Sequence, residues 1–440
     1  MNFPKGAALL ADMGVGKSKM VIDLAEIMHD LGMVKKVLVI SPLSIVNSWC
    51  DELTLHASKS QWEPIIGSKT KRVQALNDIN QSNGKLQWGL INVDGVKVIE
   101  DDIGKWDMVV IDEVTIMKNR TTQRFKCIDS LFRNVYFKII MSGNPIPKSP
   151  IEIFAPYKFI DPGVFGDNFY KFRDHYFTID MFNNIIGFKN DVLKKEFHSK
   201  MHGIAFRKKK EECLTLPSKI FQNRYVELSE PQKKVYDTMR KEAIAAYEDR
   251  KCSAPVLISK ILRLSQIAGG NFPDEQGGTI PITPNPKLEE LLFVLEEIPS
   301  QEQVVVWARF TAEIQQIEMR LKKENISCVT FYGATSPKDR ISAAEQFRTK
   351  KVRVFIGNTA TAGKGVNFLV GATHVVFYSL DYSYENYDQA IARTHRSGTK
   401  GDKVLYVHLI AKGTVDFAVL NVLKKNGNFS EAILNREISL

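Results

Sequence analysis

The stretch Ala11-Asp12-Met13-Gly14-Val15-Gly16-Lys17-Ser18 constrains the fold more than any other part of the chain. An apolar run, Ala7 to Leu10, leads into it, and Met20, Val21, Leu24, Ala25, Ile27 and Met28 follow at helical spacing. Strand, glycine-rich turn, Lys-Ser and helix is the context that a phosphate-binding loop requires. Gly14 and Gly16 let main-chain amides turn toward phosphate oxygens, and the helix N-terminus adds its partial positive charge. Lys17 is placed to reach the terminal phosphates and the Ser18 hydroxyl to bind Mg²⁺. Met13, Gly14, Val15, Gly16, Lys17, Ser18 and Lys19 are therefore the expected nucleotide-binding run. The loop implies a nucleoside triphosphate and leaves open what its energy drives.

Short apolar strands alternate with helical patterns through the first third. Val37–Ile40, Gly89–Asn92, Met108–Ile111 and Lys138–Met141 read as strands buried on both faces of a parallel sheet. From about residue 165 to 270 the character changes to clustered aromatics, Phe165 to Phe188, and then to long charged helical patterns such as Glu230 to Lys251. Gly269 to Pro286, rich in Gly and Pro, reads as a linker. Strand–helix alternation then resumes with Val304–Trp307, Val329–Phe331, Val352–Ile356, His374–Phe377 and Val404–Ile410. The pattern predicts an α/β protein of two lobes with a mostly helical insertion between them. The expected domains are 1–165 (nucleotide-binding lobe), 166–284 (insertion and linker) and 285–440 (second lobe).

Sixty Lys and Arg against fifty Asp and Glu give a net charge of +10, which favours a polyanionic partner, nucleic acid first. The five cysteines lie without CxxC or His pairing and read as reduced, mostly buried thiols, not as a zinc site or disulfide frame. No apolar stretch approaches the roughly 20 residues of a membrane span, and no signal peptide is evident. A soluble intracellular protein is expected: cytoplasmic in a bacterial or phage-infected cell, nuclear in a eukaryote.

The strand Met108–Ile111 ends in Asp112-Glu113, and ligands of open α/β sheets gather at such ends. Asp112 is expected to hold Mg²⁺ and Glu113 to polarise an attacking water, two tasks that one carboxylate cannot do well. A helix-capping acidic pair is the plainer alternative. In the second lobe, Gln389, Arg393, His395 and Arg396 fall on an expected helix, with Arg393 and Arg396 three apart and so on one face. An arginine there would neutralise charge developing on a transferred phosphate; a solvated basic face is the alternative. Further basic residues suited to DNA are Lys118, Arg120, Arg124, Arg207 to Lys210 and Lys364.

The ordered set ADMGVGKS (11–18), ISPLSIVNSWCDEL (40–53), VVIDEVTIMKNR (109–120), MSGNPIPKSPIEIFAPYKFIDPGVFG (141–166), FRKKKEECLTLPSK (206–219), LSEPQKKVYDTM (228–239), NPKLEELL (285–292), VVVWARF (304–310), FYGATSPKDR (331–340), TATAGKGVNFL (359–369) and QAIARTHRSGT (389–399) resembles the Snf2 family of superfamily 2 helicase-type ATPases. FGDNFYKFRDHYFT with GFKNDVLKKEF looks most like the annealing-helicase subgroup, and compact phage branch-migration helicases are similar in size. The resemblance implies two RecA-like lobes, ATP and Mg²⁺ in the cleft between them, and double-stranded DNA across both. It assigns Lys17, Asp112, Glu113, Gln389, Arg393 and Arg396 to catalysis and Gly365 to the nucleotide. It implies DNA contacts at Ser41, Pro42, Lys118, Asn119, Arg120, Ser142, Asn144, Thr359, Lys364 and Asn367. Through Ser142, Gly143 and Asn144, and through Gly363, Gly365 and Asn367, nucleotide state would couple to DNA.

Three departures stand out. Thr115 occupies the place of the family's usual His, and Asn144 stands where Thr is common. The glutamine segment that reads adenine upstream of the loop is absent from the ten residues before Ala11. Either base recognition is relaxed or the natural chain begins further upstream. The expected protein is a monomeric, ATP-driven translocase on double-stranded or branched DNA. Rival readings are a helicase directed at RNA or transcription complexes, and a DNA-binding module with a degenerate ATPase.

Overall fold

The computed structural model describes residues 6–12, 14–81, 84–143, 149–180, 185–208, 210–213, 216–248, 253–273, 278–362, 368–396, 399, 401–425, 427, 429 and 432. They form two compact units, Met1–Leu214 and Thr215–Leu440. The strands, in chain order, are β1 (Gly6–Ala11), β2 (Lys36–Ser41), β3 (Ser60–Ile65), β4 (Leu86–Asn92), β5 (Met108–Asp112), β6 (Phe137–Ser142), β7 (Phe177–Ile179), β8 (Ile185–Phe188) and β9 (Ala205–Lys208) in the first unit. The second unit holds β10 (Ser218–Val226), β11 (Asn271–Pro273), β12 (Thr279–Pro281), β13 (Val304–Trp307), β14 (Cys328–Phe331), β15 (Val354–Gly357), β16 (His374–Phe377) and β17 (Lys403–Ala411).

The first unit is built on a seven-stranded sheet in the order β3-β4-β2-β5-β6-β1-β9, with every neighbouring pair parallel. Its central strands are apolar at consecutive positions because both faces are covered. Val37 and Val39 pack against Val21, Ala25, Met28, Trp49 and Leu53 of the helices Lys17–Asp30 and Leu43–His56. Leu38 and Ile40 face the opposite layer, with Phe125, Ile128 and Phe154. The second unit repeats the scheme with a six-stranded parallel sheet, β10-β17-β16-β13-β15-β14. The expected pair of α/β lobes, each built on a parallel sheet, is present.

The span 166–284 forms no unit of its own. Its first part joins the first unit, where Phe165, Phe172, Tyr176, Phe177 and Phe197 share one core with Leu10 and Ile40. Ring centroids there lie 5.1 Å apart for Phe165–Phe197 and 5.0 Å for Phe154–Phe172, the spacing of favourable aromatic pairs. The later part belongs to the second unit: Tyr236, Met239, Ala243, Leu257, Ile261 and Leu264 of the helices Glu230–Glu248 and Ala254–Ala268 enter its core. The Tyr236 hydroxyl oxygen accepts from Val415 N at 2.7 Å.

The expected linker Gly269–Pro286 is instead pinned at both ends, around the hairpin of β11 and β12. Gly269 O accepts from the Tyr378 hydroxyl at 2.9 Å and from Asn285 Nδ2 at 3.2 Å. Gly270 has φ +89°, and a Cβ on it would lie 2.1 Å from Asn285 Nδ2. The glycines serve close packing here, the opposite of flexibility. Beneath them run a buried ion pair, Lys287 Nζ to Asp416 Oδ2 at 2.5 Å, and the fully buried Glu313. The Cys expectation also changes: Cys50, Cys127 and Cys328 are half-buried free thiols and Cys213 is exposed, while Cys252 lies outside the described residues. Among the described residues no helix is long and apolar enough to cross a membrane, and no group of three or more His, Cys, Asp or Glu is arranged to hold a metal.

Burial pushes the Glu313 carboxyl from its ordinary 4.5 up to about 7, opposed by the Ser379 hydroxyl that donates to Oε2 at 2.5 Å. Oε1 has no hydrogen-bond partner among the described residues. Between these two values the folded chain keeps a proton that the unfolded chain releases, so stability falls as pH rises through that window. Glu313→Gln, which cannot titrate, is expected to gain melting temperature relative to wild type as pH goes from 5 to 8. A difference constant with pH in thermal unfolding would show that the carboxyl does not titrate there.

Candidate nucleotide site

All strands of the first sheet run the same way, so their carboxyl ends share one edge. Register fixes what meets there. Asp112 of β5 lies level with Met141 of β6, which is level with Leu9 of β1, and Leu10 pairs with Ser142. Ile40 pairs with Ile111, placing Ser41 beside the same edge. With β6 alone between β1 and β5, the loop after β1 and the acidic pair stand about two strand spacings apart, roughly 10 Å.

At the loop, Gly14 and Gly16 adopt left-handed φ of 82° and 85°, a region open to glycine at little cost. Nothing lies within 4 Å of a Cβ built on Gly16. The helix Lys17–Asp30 begins directly after it, with no side-chain cap and no acidic residue in its first turn. The start of a helix without an acidic first turn or a capping side chain is a place where main-chain amides can receive an anion. Lys17 Nζ donates to Ala11 O at 2.7 Å and to Asp12 O at 3.0 Å, folding back over the loop. Ser18 is half-buried on the first turn. Lys19 points away and pairs with Asp23 at 2.6 Å, an exposed helix-surface contact that leaves it no evident role at the loop. Met13 lies outside the described residues.

The acidic pair is held by neighbours. Asp112 Oδ2 accepts from the indole Nε1 of buried Trp49 at 2.8 Å, and Oδ1 accepts from Glu113 N at 2.9 Å. Glu113 is only 8% exposed and has φ 63°, uncommon for a residue with a side chain. Its Oε1 accepts from the Thr115 hydroxyl at 3.2 Å. Glu113 precedes the 3₁₀ turn Val114–Met117 without capping it through its side chain, so the capping alternative is not what the carboxylate does. Thr115, the departure from the family pattern, holds Glu113 from two residues away. The fit to a Mg²⁺-nucleotide is good: hard oxygen ligands at Ser18 and Asp112, a helix start without a capping side chain, and no steric block at Gly16.

The residues expected to contact DNA divide. Ser41 and Ser142 are each 1% exposed, and the Ser41 hydroxyl donates to Pro42 O at 3.2 Å, so neither hydroxyl presents a surface. Pro42 is half-buried as the N-cap of Leu43–His56. Lys118 pairs with Glu152 at 3.6 Å, and Asn119 Oδ1 is taken up by Thr121 N and Oγ1. Arg120 stacks 4.1 Å over Phe169 and 5.3 Å from the exposed Tyr170 ring. Arg124 makes a two-point pair with Asp94. Asn144, Gly363, Lys364, Gly365 and Asn367 lie outside the described residues.

In the second unit Thr359 is buried and donates to Asp381 Oδ2 at 3.0 Å. Asp381 also takes Ser383 N and Asn386 Nδ2, fixing the start of the helix Tyr384–Thr394. That helix carries Gln389 and Arg393. Gln389 is buried, donates to Glu385 at 3.4 Å and keeps its Oε1 without a partner among the described residues. The expectation that Arg393 and Arg396 share a helix face is corrected. The helix ends at Thr394, His395 leaves helical geometry with ψ 78°, and its Nε2 engages Pro217 O at 2.8 Å. Arg396 therefore stands beyond the helix, in a turn closed by Thr399.

Residues 2–268 match the SNF2-related domain and residues 286–398 the helicase conserved C-terminal domain. The chain belongs to the SNF2-related family. It is 24% identical over 446 residues to an ATP-dependent helicase of Mycoplasma genitalium, covering 99% of this chain and 41% of that protein. It is 24% identical over 484 residues to the DNA repair and recombination protein RAD54-like of Mus musculus, covering 98% and 63%. The first of these relatives is thus more than twice as long as the matched stretch. A SWI2/SNF2 ATPase core of Sulfolobus solfataricus in complex with double-stranded DNA aligns over 99% of this chain and 93% of that one, at TM-score 0.44 and 21% identity.

Trp49 and Thr115 were not singled out in the sequence as site residues, because an apolar helical position and a missing His carry no visible signal of a carboxylate partner. Removing a hydrogen bond to a charged group costs about 1.5–3 kcal/mol. Trp49→Phe is expected to raise several-fold the Mg²⁺ concentration needed to bind a fluorescent ATP analogue, measured by titration at fixed nucleotide. An unchanged Mg²⁺ requirement in a folded variant would dissociate Trp49 from the site.

Proposed function

We propose that this chain hydrolyses ATP to move along double-stranded DNA, and that its biological output is the remodelling of branched DNA: branch migration, fork reversal or annealing. The observation that supports the chemistry best is the pairing, on one sheet edge, of an uncapped glycine-rich loop with Lys17 and Ser18 and a two-carboxylate end of strand, Asp112-Glu113. Main-chain amides at the start of Lys17–Asp30 and the Lys17 amine hold the phosphates. Ser18 and Asp112 would hold Mg²⁺, which would supply charge neutralisation when bound. Glu113, fixed by Thr115 and by its own backbone, orients the attacking water. Arg393 and Arg396 of the second unit are the candidates to neutralise charge on the leaving phosphate, with Gln389 alongside.

The net charge of +10 and the family membership support a nucleic acid partner. Grip through phosphates is sequence-tolerant and weakens as salt rises. A ligand that binds one conformational state better shifts the population toward it, and hydrolysis removes that preference; alternation of this kind moves the grip along the backbone.

Lys17→Ala is expected to abolish turnover; substantial residual hydrolysis would mean that the loop is misread. Glu113→Gln is expected to bind ATP and DNA without turning over. Arg393→Ala or Arg396→Ala should lower kcat by roughly 10³ if that residue acts as the arginine finger. ATPase rates measured with single-stranded, duplex, forked and four-way DNA and with RNA then test the substrate. Strongest stimulation by forked or four-way DNA is the expected result. Stimulation by RNA alone would favour an RNA-directed helicase, and no hydrolysis with any of them would favour a binding module.

A further inference from the structure

Asp12, the first residue beyond β1, sits at the junction of three structural elements. Its N–H donates to Lys208 O at 3.1 Å, and its Oδ2 accepts from Lys210 N at 2.9 Å. Its own carbonyl accepts from Lys17 Nζ at 3.0 Å, beside Ala11 O. The head of the phosphate loop is thus tied to the end of β9 and to the turn that follows it, 198 residues away. The tie is not a solvent-washed one: Lys210 is 8% exposed and Asp12 half-buried. Below it, Leu9, Leu10 and Ala11 pair in register with Phe206, Arg207 and Lys208.

We infer that Asp12 is a positioning residue for the triphosphate, anchoring the loop to the segment Lys208–Lys210 so that its amides and the Lys17 amine start from a fixed direction. The inference rests on the nucleotide reading above. A carboxylate placed beside a polyanion repels it, so charge alone gives no reason for an acid at this position. Position and charge make opposite predictions. If charge dominates, removing the carboxylate tightens ATP binding; if position dominates, removing the acceptor loosens it.

The chain is compared with Asp12→Ala, Asp12→Asn, Lys210→Ala and Lys210→Pro. Asn keeps an oxygen that accepts from Lys210 N and loses the charge. Pro removes the donor at the first position of a helical turn, where its ring is tolerated. Expected for Asp12→Ala is a KM for ATP at least fivefold higher with kcat within twofold, matched by a fivefold weaker affinity for a fluorescent ATP analogue. Asp12→Asn should restore both to within twofold of wild type. Measured against Lys210→Ala, which loses the same buried side chain but keeps the N–H, Lys210→Pro should reproduce the effect of Asp12→Ala, and adding Asp12→Ala to Lys210→Pro should cost nothing more, since the bond between them is already gone. Thermal unfolding reports whether each variant folds; should Asp12→Ala fail to fold, Lys210→Pro carries the same comparison. An unchanged or lower KM in Asp12→Ala, or a loss in Asp12→Asn equal to that in Asp12→Ala, overturns the inference while leaving the nucleotide site standing. A wild-type chain that binds no ATP analogue overturns both.

Discussion

Parallel strands end together, and much of the first unit's chemistry follows from that constraint. A parallel pair needs a crossover, so each strand of the central sheet returns through a helix or long loop and delivers its carboxyl end to the same edge. The loop after β1, Ser41 at the end of β2, the acidic pair that begins with the last residue of β5, and Ser142 at the end of β6 come from positions spread over more than a hundred residues. They meet because strand direction leaves them nowhere else to go. What the individual side chains add is orientation. Trp49 reaches from a helix to Asp112, and Thr115 reaches back to Glu113.

The two carboxylates of the pair occupy unlike surroundings, though adjacent in sequence. Asp112 closes a strand and is fixed by an indole N–H and a main-chain N–H. Glu113 sits in a left-handed backbone conformation that turns its side chain away from the strand direction. Such conformations persist where surrounding structure over-determines them. The buried Trp49, packed with Trp88, and the completed 3₁₀ turn supply that surrounding structure.

Much of this was legible from the sequence because the signals were local. The run from Ala7 to Met28 contains strand, turn and helix in one window, and Met108–Glu113 contains a strand and its acidic end. Strands with consecutive apolar residues, such as Val304–Trp307 and His374–Phe377, were read to the residue. The edge strands β3 and β10 were not. β3 (Ser-Gln-Trp-Glu-Pro-Ile) alternates polar and apolar residues and carries a proline, and β10 is mostly exposed, so neither resembles a buried strand. The segment from Gly269 to Pro286 misled because glycine signals both flexibility and close approach, and only the buried Asn285 and Tyr378 distinguish the two. Arg396 misled because helical spacing says nothing about where a helix stops; the bond from His395 to Pro217 O, 178 residues away in the chain, decides that.

The position of β9 has a consequence for the order in which the protein is built. β1 leaves the ribosome before both of the strands it pairs with: β6 follows more than a hundred residues later and β9 nearly two hundred. Contacts of such sequence separation are slow to close, and domains fold as units during synthesis. Until Ala205–Lys208 emerges, a nascent first unit would present the apolar edge of β1 to whatever strand it meets first. Of this unit's central strands, the one made before its partners is therefore among the last to be finished. A fragment ending before residue 205 would lack the strand that covers that edge, whatever the quality of its loop sequence.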